Sequence, residues 1–263
     1  MNKMYNGLQI GKYNITYLVP KKIIERGKYY IYFYLTTYYS PLVANGNISK
    51  VKGKTFVMID YNMVMSYLSL SKAMKYQYLD KYVVFLDEVY GIKYKKRSSV
   101  MPFAVANEDN MNKFDAGKTS GKGFLYARIY ESDFLKIVNM DTRHKLNALY
   151  FLSLYRLNMK RRAHNNDKPY MYPNYLKCLY CNFYEYGFTY DTVSTTVKKL
   201  CASKIIYAVR DGQTFNVGTT KNGKPFNRQF LYITDYMSDG SHEIEIENAI
   251  NLEDGKRPEL GKQ

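Results

Sequence analysis

Two cysteines three positions apart are the pair in this sequence most typical of a metal site. Cys178 and Cys181 form a CxxC motif, and structural zinc takes four sulfur or nitrogen ligands in a tetrahedron. The candidates for further ligands are Cys201, His144 and His164, which stand at spacings unrelated to known zinc motifs. We therefore interpret both cysteines as small apolar residues packed on one helix and expect no metal. A zinc site is the alternative.

The run from Gly117 to Gly123 resembles a phosphate-binding loop but departs from its pattern. That pattern needs a glycine five residues before the Gly-Lys pair, where this chain has Asn112 or Ala116. The second Gly-Lys pair is also followed by Gly123, where serine or threonine is required. We interpret the run as the flexible tip of a hairpin and expect no cofactor.

The chain does not show the residue groups of a DNA-cutting enzyme. Rolling-circle initiators and relaxases cut DNA with a tyrosine beside a metal that closely spaced histidines hold, whereas His144, His164 and His242 are isolated. Carboxylate pairs such as Asp87-Glu88 are adjacent in sequence and do not converge on one helix face. Since no nucleophile, base and orienting group can be named, we predict a protein without catalytic residues that is not an enzyme.

The stretch from Gly187 to Ile206 has the pattern of a helix that binds in the DNA major groove. Gly187 suits a tight turn, and Thr189 is a good N-cap. Three apolar residues recur at i, i+4 and i+7 and predict a buried seam, namely Val193, Val197 and Leu200. The opposite face supplies four predicted base-reading residues, namely Tyr190, Ser194, Thr195 and Lys198. A helix that only packs on a globular core is the alternative.

The net charge of +16 favours a polyanionic partner. Residues 239–263 hold seven acids and three bases, which leaves the first 238 residues at +20. Cationic side chains release counterions when they neutralise phosphates, so we expect double-stranded DNA as the partner. The predicted contacts with its backbone are Lys93, Lys95, Lys96, Arg97, Lys160, Arg161, Arg162, Lys199, Lys221, Lys224 and Arg228. Surface charge that only maintains solubility is the alternative.

Cysteine usage and hydropathy predict a cytoplasmic protein without a membrane partner. Three cysteines give no even disulfide framework, which favours a reducing compartment. The N-terminal residues lack the apolar region and cleavage site of a signal peptide. Residues 29–49 carry no charge, but their polar residues and Pro41 favour a buried helix over a membrane span.

Helix and strand signals predict an α+β fold with two tandem winged helix-turn-helix domains. The elements expected in the first domain are a helix over 21–39, a strand over 55–59, a short helix capped by Asp60, a helix over 72–90, and strands over 92–97 and 124–129 that flank a loop. The elements expected in the second domain are helices over 142–163 and 174–186, the groove-binding helix, and strands over 205–210 and 229–235 with a hairpin tip over 218–228. The predicted boundaries are an N-terminal arm at 1–20, the first winged-helix domain at 21–135, the second at 140–236, and an acidic, disordered tail at 237–263.

Three stretches of the chain resemble tandem winged-helix replication initiators of plasmids and phages from low-GC Gram-positive bacteria. They are Gly53–Leu68, Tyr90–Lys95 and Thr189–Ile206. The resemblance implies origin or operator DNA as the ligand and a homodimer formed through one half. Host replication proteins are further partners that this interpretation suggests.

We therefore expect a protein that binds double-stranded DNA sequence-specifically and recognises an origin in plasmid or phage replication. A transcriptional repressor or a centromere-binding partition protein of the same fold is the first alternative. A helicase-loading or primosome interaction protein, with the acidic tail as its working part, is the second alternative.

Overall fold

The structure, a computed structural model, has an α+β fold that separates into two compact units. It describes residues 16–38, 48–68, 71–94, 103–114, 126–140, 144–159, 174–219, 223 and 225–254, with the backbone alone at 213–219, 225–227 and 252–253. The first unit is Met1–Leu157 and the second is Asn158–Gln263.

The first unit contains seven helices and five strands within its described residues. The strands are β1 (Thr16–Pro20), β2 (Ile48–Val51), β3 (Lys54–Met58), β4 (Phe103–Val105) and β5 (Tyr126–Tyr130). The helices are α1 (Lys21–Glu25), α2 (Lys28–Tyr38), α3 (Tyr61–Ser66), α4 (Lys72–Tyr90), α5 (Glu108–Phe114), α6 (Glu131–Val138) and α7 (Lys145–Asn158). Strands β1 and β5 form an antiparallel pair, and β2, β3 and β4 form an antiparallel sheet in that order.

Aromatic rings fill the core of the first unit between α2 and α4. Phe33 of α2 lies 5.1 Å from the Tyr82 ring and 5.5 Å from the Phe85 ring, measured between centroids. All three side chains are fully buried. Rings at these separations attract one another through their edges and faces in addition to the area they bury.

A buried ion pair joins α6 to α7. Nη2 of Arg156 donates to the Asp133 carboxylate at 2.7 Å, and Nη1 donates to the Arg128 carbonyl at 3.1 Å. The Arg156 guanidinium also lies 4.7 Å from the centre of the Tyr130 ring. Because its charge is paired and its donors are used, this arginine can be buried in the core.

The capping signals of the first unit are confirmed. Asp60 begins α3 by accepting a hydrogen bond from the Met63 amide at 3.2 Å. Ser71 begins α4 in the same way, and Gly91 ends it in the left-handed conformation, with φ of 66°. Helix α4 therefore spans the predicted residues 72–90, because both of its ends are set by local side-chain and backbone chemistry.

Several predictions for the first unit are wrong. The helix expected over 21–39 is broken at Gly27, whose φ of +94° is incompatible with a continuous helix. Residues 92–94 form no strand, and β5 pairs with β1 in place of them. The expected loop after residue 107 begins with α5, and helices α5 and α6 were not predicted. The pairing of β5 with a strand more than 100 residues away leaves no local signal in the sequence.

The second unit combines a three-stranded sheet with three helical segments within its described residues. Its elements are β6 (Leu176–Cys178), a 3-10 helix (Tyr180–Tyr186), α8 (Tyr190–Ala202), β7 (Ile206–Thr219), β8 (Pro225–Asp235) and α9 (Ser241–Glu253). The strand order is β6-β8-β7, all antiparallel, so the short strand before the helices pairs with the returning strand of the hairpin.

Helix α9 differs most from the sequence prediction. Residues 241–253 were expected within a disordered acidic tail, yet they form a helix whose Ile246 and Ala249 are buried against Tyr175 and Tyr232. Glu245 points inward and accepts a hydrogen bond from the Thr234 hydroxyl at 3.0 Å. Burial of this apolar stripe offsets the acidic composition that suggested disorder.

Two further boundaries change in the second half of the chain. The helix expected over 142–163 ends at Asn158 as α7, and nearly all of it lies in the first unit. The helix expected over 174–186 is replaced by β6 and the 3-10 helix. Strands β7 and β8 extend beyond their predicted ends, so the hairpin tip is shorter than the expected 218–228.

Candidate nucleic-acid interface

Helix α8 combines a narrow buried seam with a broad polar face. The predicted seam of Val193, Val197 and Leu200 is buried, and Thr196 is buried beside it. Thr189 caps the helix by accepting a hydrogen bond from the Thr192 amide at 3.2 Å. The cap fixes the start of the helix, and the buried seam anchors one face of it, so the opposite face is the one that a ligand could contact.

The four predicted base-reading residues lie on α8, as expected. Tyr190 is 48% exposed at the first position of the helix. Lys198 is exposed two turns later, and Ser194 and Thr195 between them are partly exposed. Hydroxyl and ammonium groups in this arrangement can donate to base edges and phosphates. Contact of these residues with DNA stays a prediction.

A cluster of two tyrosines and an arginine lies at the N-terminal end of α8. The Tyr190 ring centre is 5.1 Å from that of Tyr180 in the 3-10 helix. The guanidinium of Arg210, on β7, lies 5.6 Å from the Tyr180 ring centre. The neighbouring Tyr180 and Tyr190 hydroxyls raise the pKa of this guanidinium above its ordinary value. Three elements therefore meet in one cationic and aromatic cluster.

A second arginine lies against the same 3-10 helix. The guanidinium of Arg228, on β8, is 5.9 Å from the ring centre of Tyr184, which is 37% exposed. Arg228 was predicted to bind the DNA backbone, and the structure brings it to the helix that precedes α8. Both strands of the hairpin thus contribute a cation beside a tyrosine of this helix.

The remaining predicted backbone-binding residues are distributed as follows. Lys199 lies on α8 and is partly exposed, and Lys93 is exposed in the segment after α4. The other eight lie outside the described residues, namely Lys95, Lys96, Arg97, Lys160, Arg161, Arg162, Lys221 and Lys224.

The two CxxC cysteines do not share a helix, which corrects the sequence interpretation. Cys178 ends β6 and is buried, whereas Cys181 lies in the 3-10 helix and is partly exposed. Burial raises the pKa of the Cys178 thiol to about 12, so this group is protonated at neutral pH. Within the described ranges, no three histidine, cysteine, aspartate or glutamate side chains converge as metal ligands would.

Sequence reasoning missed Tyr180, Tyr184 and Arg210. The tyrosines fell within the α-helix predicted over 174–186, where the structure has β6 and a 3-10 helix. Arg210 ends the predicted strand 205–210, and its i, i+2 spacing from Ala208 places both residues on one face of that strand.

None of the helices in the described part of the chain is both long and apolar enough to cross a membrane. Comparisons with protein-family models, with curated proteins and with solved structures give no match for this chain. The resemblance to plasmid and phage replication initiators accordingly stays a prediction.

Proposed function

We propose that this chain is a non-enzymatic, sequence-specific binder of double-stranded DNA that recognises an origin in plasmid or phage replication. The observation that carries the proposal is α8, a capped helix anchored by a narrow apolar seam with Tyr190 and Lys198 on its open face. A helix of this kind can enter the major groove because Ser194, Thr195 and Lys198 on its outward face are at least partly exposed.

The elements around α8 support a winged helix-turn-helix in the second unit. A 3-10 helix and the turn at Gly187 precede α8, and the long hairpin of β7 and β8 follows it. Strand β6 pairs with β8 and closes the base of that hairpin. The proposed domain uses α8 for base contacts and the hairpin for the sugar-phosphate backbone.

Charge supports DNA over a basic or neutral partner. The first 238 residues carry a net charge of +20, and Arg210 and Arg228 lie on the hairpin beside the 3-10 helix. Each such cation that neutralises a phosphate contributes to binding through counterion release. We expect binding to weaken steeply as salt is raised.

Selection from a random pool of duplexes tests the proposal. The purified full chain is incubated with the pool near physiological salt, and the bound duplexes are amplified and sequenced. An enriched motif, especially one repeated at a spacing of one helical turn, is the expected result. Recovery of duplexes without any motif would contradict sequence-specific recognition.

The position and effect of that motif separate replication initiation from repression and partition. A plasmid that carries the motif should replicate in a host only when the protein is supplied. Loss of transcription from an adjacent promoter, without any effect on replication, would instead assign the protein as a repressor.

A further inference from the structure

Arg210 stands on a rigid part of the hairpin. It pairs with Leu231 at the end of a regular register that begins with Ile206 opposite Asp235. Beyond Arg210 the register shifts, and regular pairing resumes only at Thr214. The Arg210 backbone is therefore fixed by the ladder, whereas the irregular segment begins directly after it.

The Arg210 side chain joins this strand to the two helical elements. Its guanidinium lies 5.6 Å from the centre of the Tyr180 ring, and that ring lies 5.1 Å from the Tyr190 ring. A guanidinium has five N–H donors in one plane, so it can bind both hydroxyls and keep its charge facing solvent. A lysine ammonium lacks this planar arrangement and cannot replace it at the same site.

Tyr190 occupies the position on α8 where orientation matters most. It is the first residue of the helix, and the N-terminal residues of a groove-binding helix are those that contact base edges. An exposed tyrosine held by neighbours loses less conformational freedom on binding than one that rotates freely. A fixed ring can also meet only one part of the groove, which favours one base sequence over others.

We propose that Arg210 is a positioning residue that holds Tyr180 and Tyr190 together and thereby determines the selectivity of α8 for its DNA sequence. This inference rests on the proposed function and adds a residue to which the sequence assigned no role. Its main competitor is that Arg210 only neutralises a phosphate, which would affect all duplexes alike.

Conservative substitutions separate these two roles. The variants are Arg210→Lys, Tyr190→Phe and the double variant, and dissociation constants are measured for the selected duplex and a scrambled one. We expect Arg210→Lys to reduce the ratio of specific to scrambled affinity by about tenfold, the size of one base-directed contact, with an unchanged salt slope. Tyr190→Phe should lower the same ratio, and the double variant should lose little more than either single variant.

The chain offers a matched control in its first unit. Arg128 donates to the Tyr126 hydroxyl at 3.5 Å and lies 5.9 Å from that ring centre. Arg128→Lys therefore breaks a similar arginine–tyrosine pair away from α8 and should leave the affinity ratio unchanged. An equal drop in the ratio for Arg128→Lys would overturn the inference.

Two further results would also overturn it. In the first, Arg210→Lys keeps the wild-type affinity ratio, while Arg210→Ala weakens binding to both duplexes equally. The salt slope of Arg210→Ala would then be shallower by about 1, as the loss of a single phosphate contact predicts. The second comes from NMR spectra recorded without DNA. We expect the Tyr190 ring signals to shift in Arg210→Lys but not in Arg128→Lys. Unchanged Tyr190 signals in Arg210→Lys would show that Arg210 does not hold the ring. If the wild-type chain selects no duplex, the proposed function fails and the DNA role of Arg210 fails with it, while the NMR result still reports the positioning itself.

Discussion

In the first unit tyrosine rings fill the space between helices, whereas around α8 in the second unit they lie on the surface beside arginines. Tyr82 of α4 is fully buried against Phe33 and Phe85, and burial raises its pKa far above the ordinary tyrosine value. Tyr190 of α8 is 48% exposed and lies beside Tyr180, which in turn lies beside Arg210. The same residue type therefore serves packing in one helix and surface chemistry in the other.

The buried side chains of the two helices differ in size. Helix α4 buries Tyr82, Phe85, Leu86, Val89 and Tyr90, which are mostly large. Helix α8 buries smaller valine, threonine and leucine side chains at i, i+3, i+4 and i+7, and it leaves Tyr190 and Lys198 exposed. A helix anchored by such a stripe can present its opposite face to a ligand. The proposed function assigns packing to α4 and recognition to α8.

The largest expected effect is the loss of stability when a ring is removed from the core of the first unit. Phe85→Ala should lower the free energy of unfolding by about 3–5 kcal/mol, because it removes a buried ring and leaves a cavity. Urea unfolding monitored by circular dichroism measures this loss. The neighbouring Val84 is 50% exposed, so Val84→Ala should change the free energy by less than about 0.5 kcal/mol. Similar losses for the two variants would contradict the assignment of this face to the core.

A smaller effect concerns Lys198, which is exposed on the polar face of α8. Lys198→Ala should weaken binding to the selected duplex by about 1–3 kcal/mol if the ammonium contacts a base, with little change on a scrambled duplex. Fluorescence anisotropy titrations with both duplexes measure the difference. An equal loss on both duplexes, with a shallower salt slope, would identify a phosphate contact in place of base recognition.

Removal of equivalent helix caps sharpens the comparison between α4 and α8. Ser71 and Thr189 each accept a hydrogen bond from the backbone of the first turn, at 3.4 and 3.2 Å. Ser71→Ala and Thr189→Ala should each destabilise the protein by about 1 kcal/mol. Only Thr189→Ala should also weaken specific DNA binding, because it loosens the turn that carries Tyr190. Equal weakening by Ser71→Ala would mean that α4 takes part in recognition.

The smallest effect is a loss of stability at alkaline pH caused by half-buried tyrosines of the first unit. Burial raises the pKa of Tyr61 and of Tyr78 to about 12 in the folded protein. In the unfolded chain these hydroxyls ionise near the ordinary tyrosine pKa of about 10. Above pH 10 the unfolded chain therefore binds fewer protons than the folded protein, so the stability that these groups contribute below pH 10 is lost between pH 10 and about 12. Urea midpoints across this range should decline less steeply in Tyr61→Phe than in wild type. Tyr76→Phe is the control, since Tyr76 is 63% exposed.

Elements with local signals could be predicted from the sequence. Helix α4 lies between Ser71 and Gly91, and α8 begins at Thr189, because capping groups act within one turn of the helix they begin or end. The seam of α8 followed from residue spacing alone. These features place the predicted base-reading residues on one helix.

The elements that were missed depend on contacts between distant residues. Strand β6 forms only because β8 pairs with it, with Leu176 opposite Ile233. Helix α9 is stable through Tyr175 and Tyr232, which its acidic sequence does not reveal. The cluster of Tyr180, Tyr190 and Arg210 unites residues from three elements, so no window of the sequence contains it.

A selection experiment with an altered α8 tests the central claim most directly. The random-duplex selection is repeated with a Ser194→Ala/Thr195→Ala double variant, and with Tyr76→Ala as a control on α4. We predict that the double variant tolerates more bases at one or two adjacent positions of the motif, while Tyr76→Ala enriches the wild-type motif. An unchanged motif in the double variant, or a motif altered by Tyr76→Ala alone, would contradict the assignment of base recognition to α8.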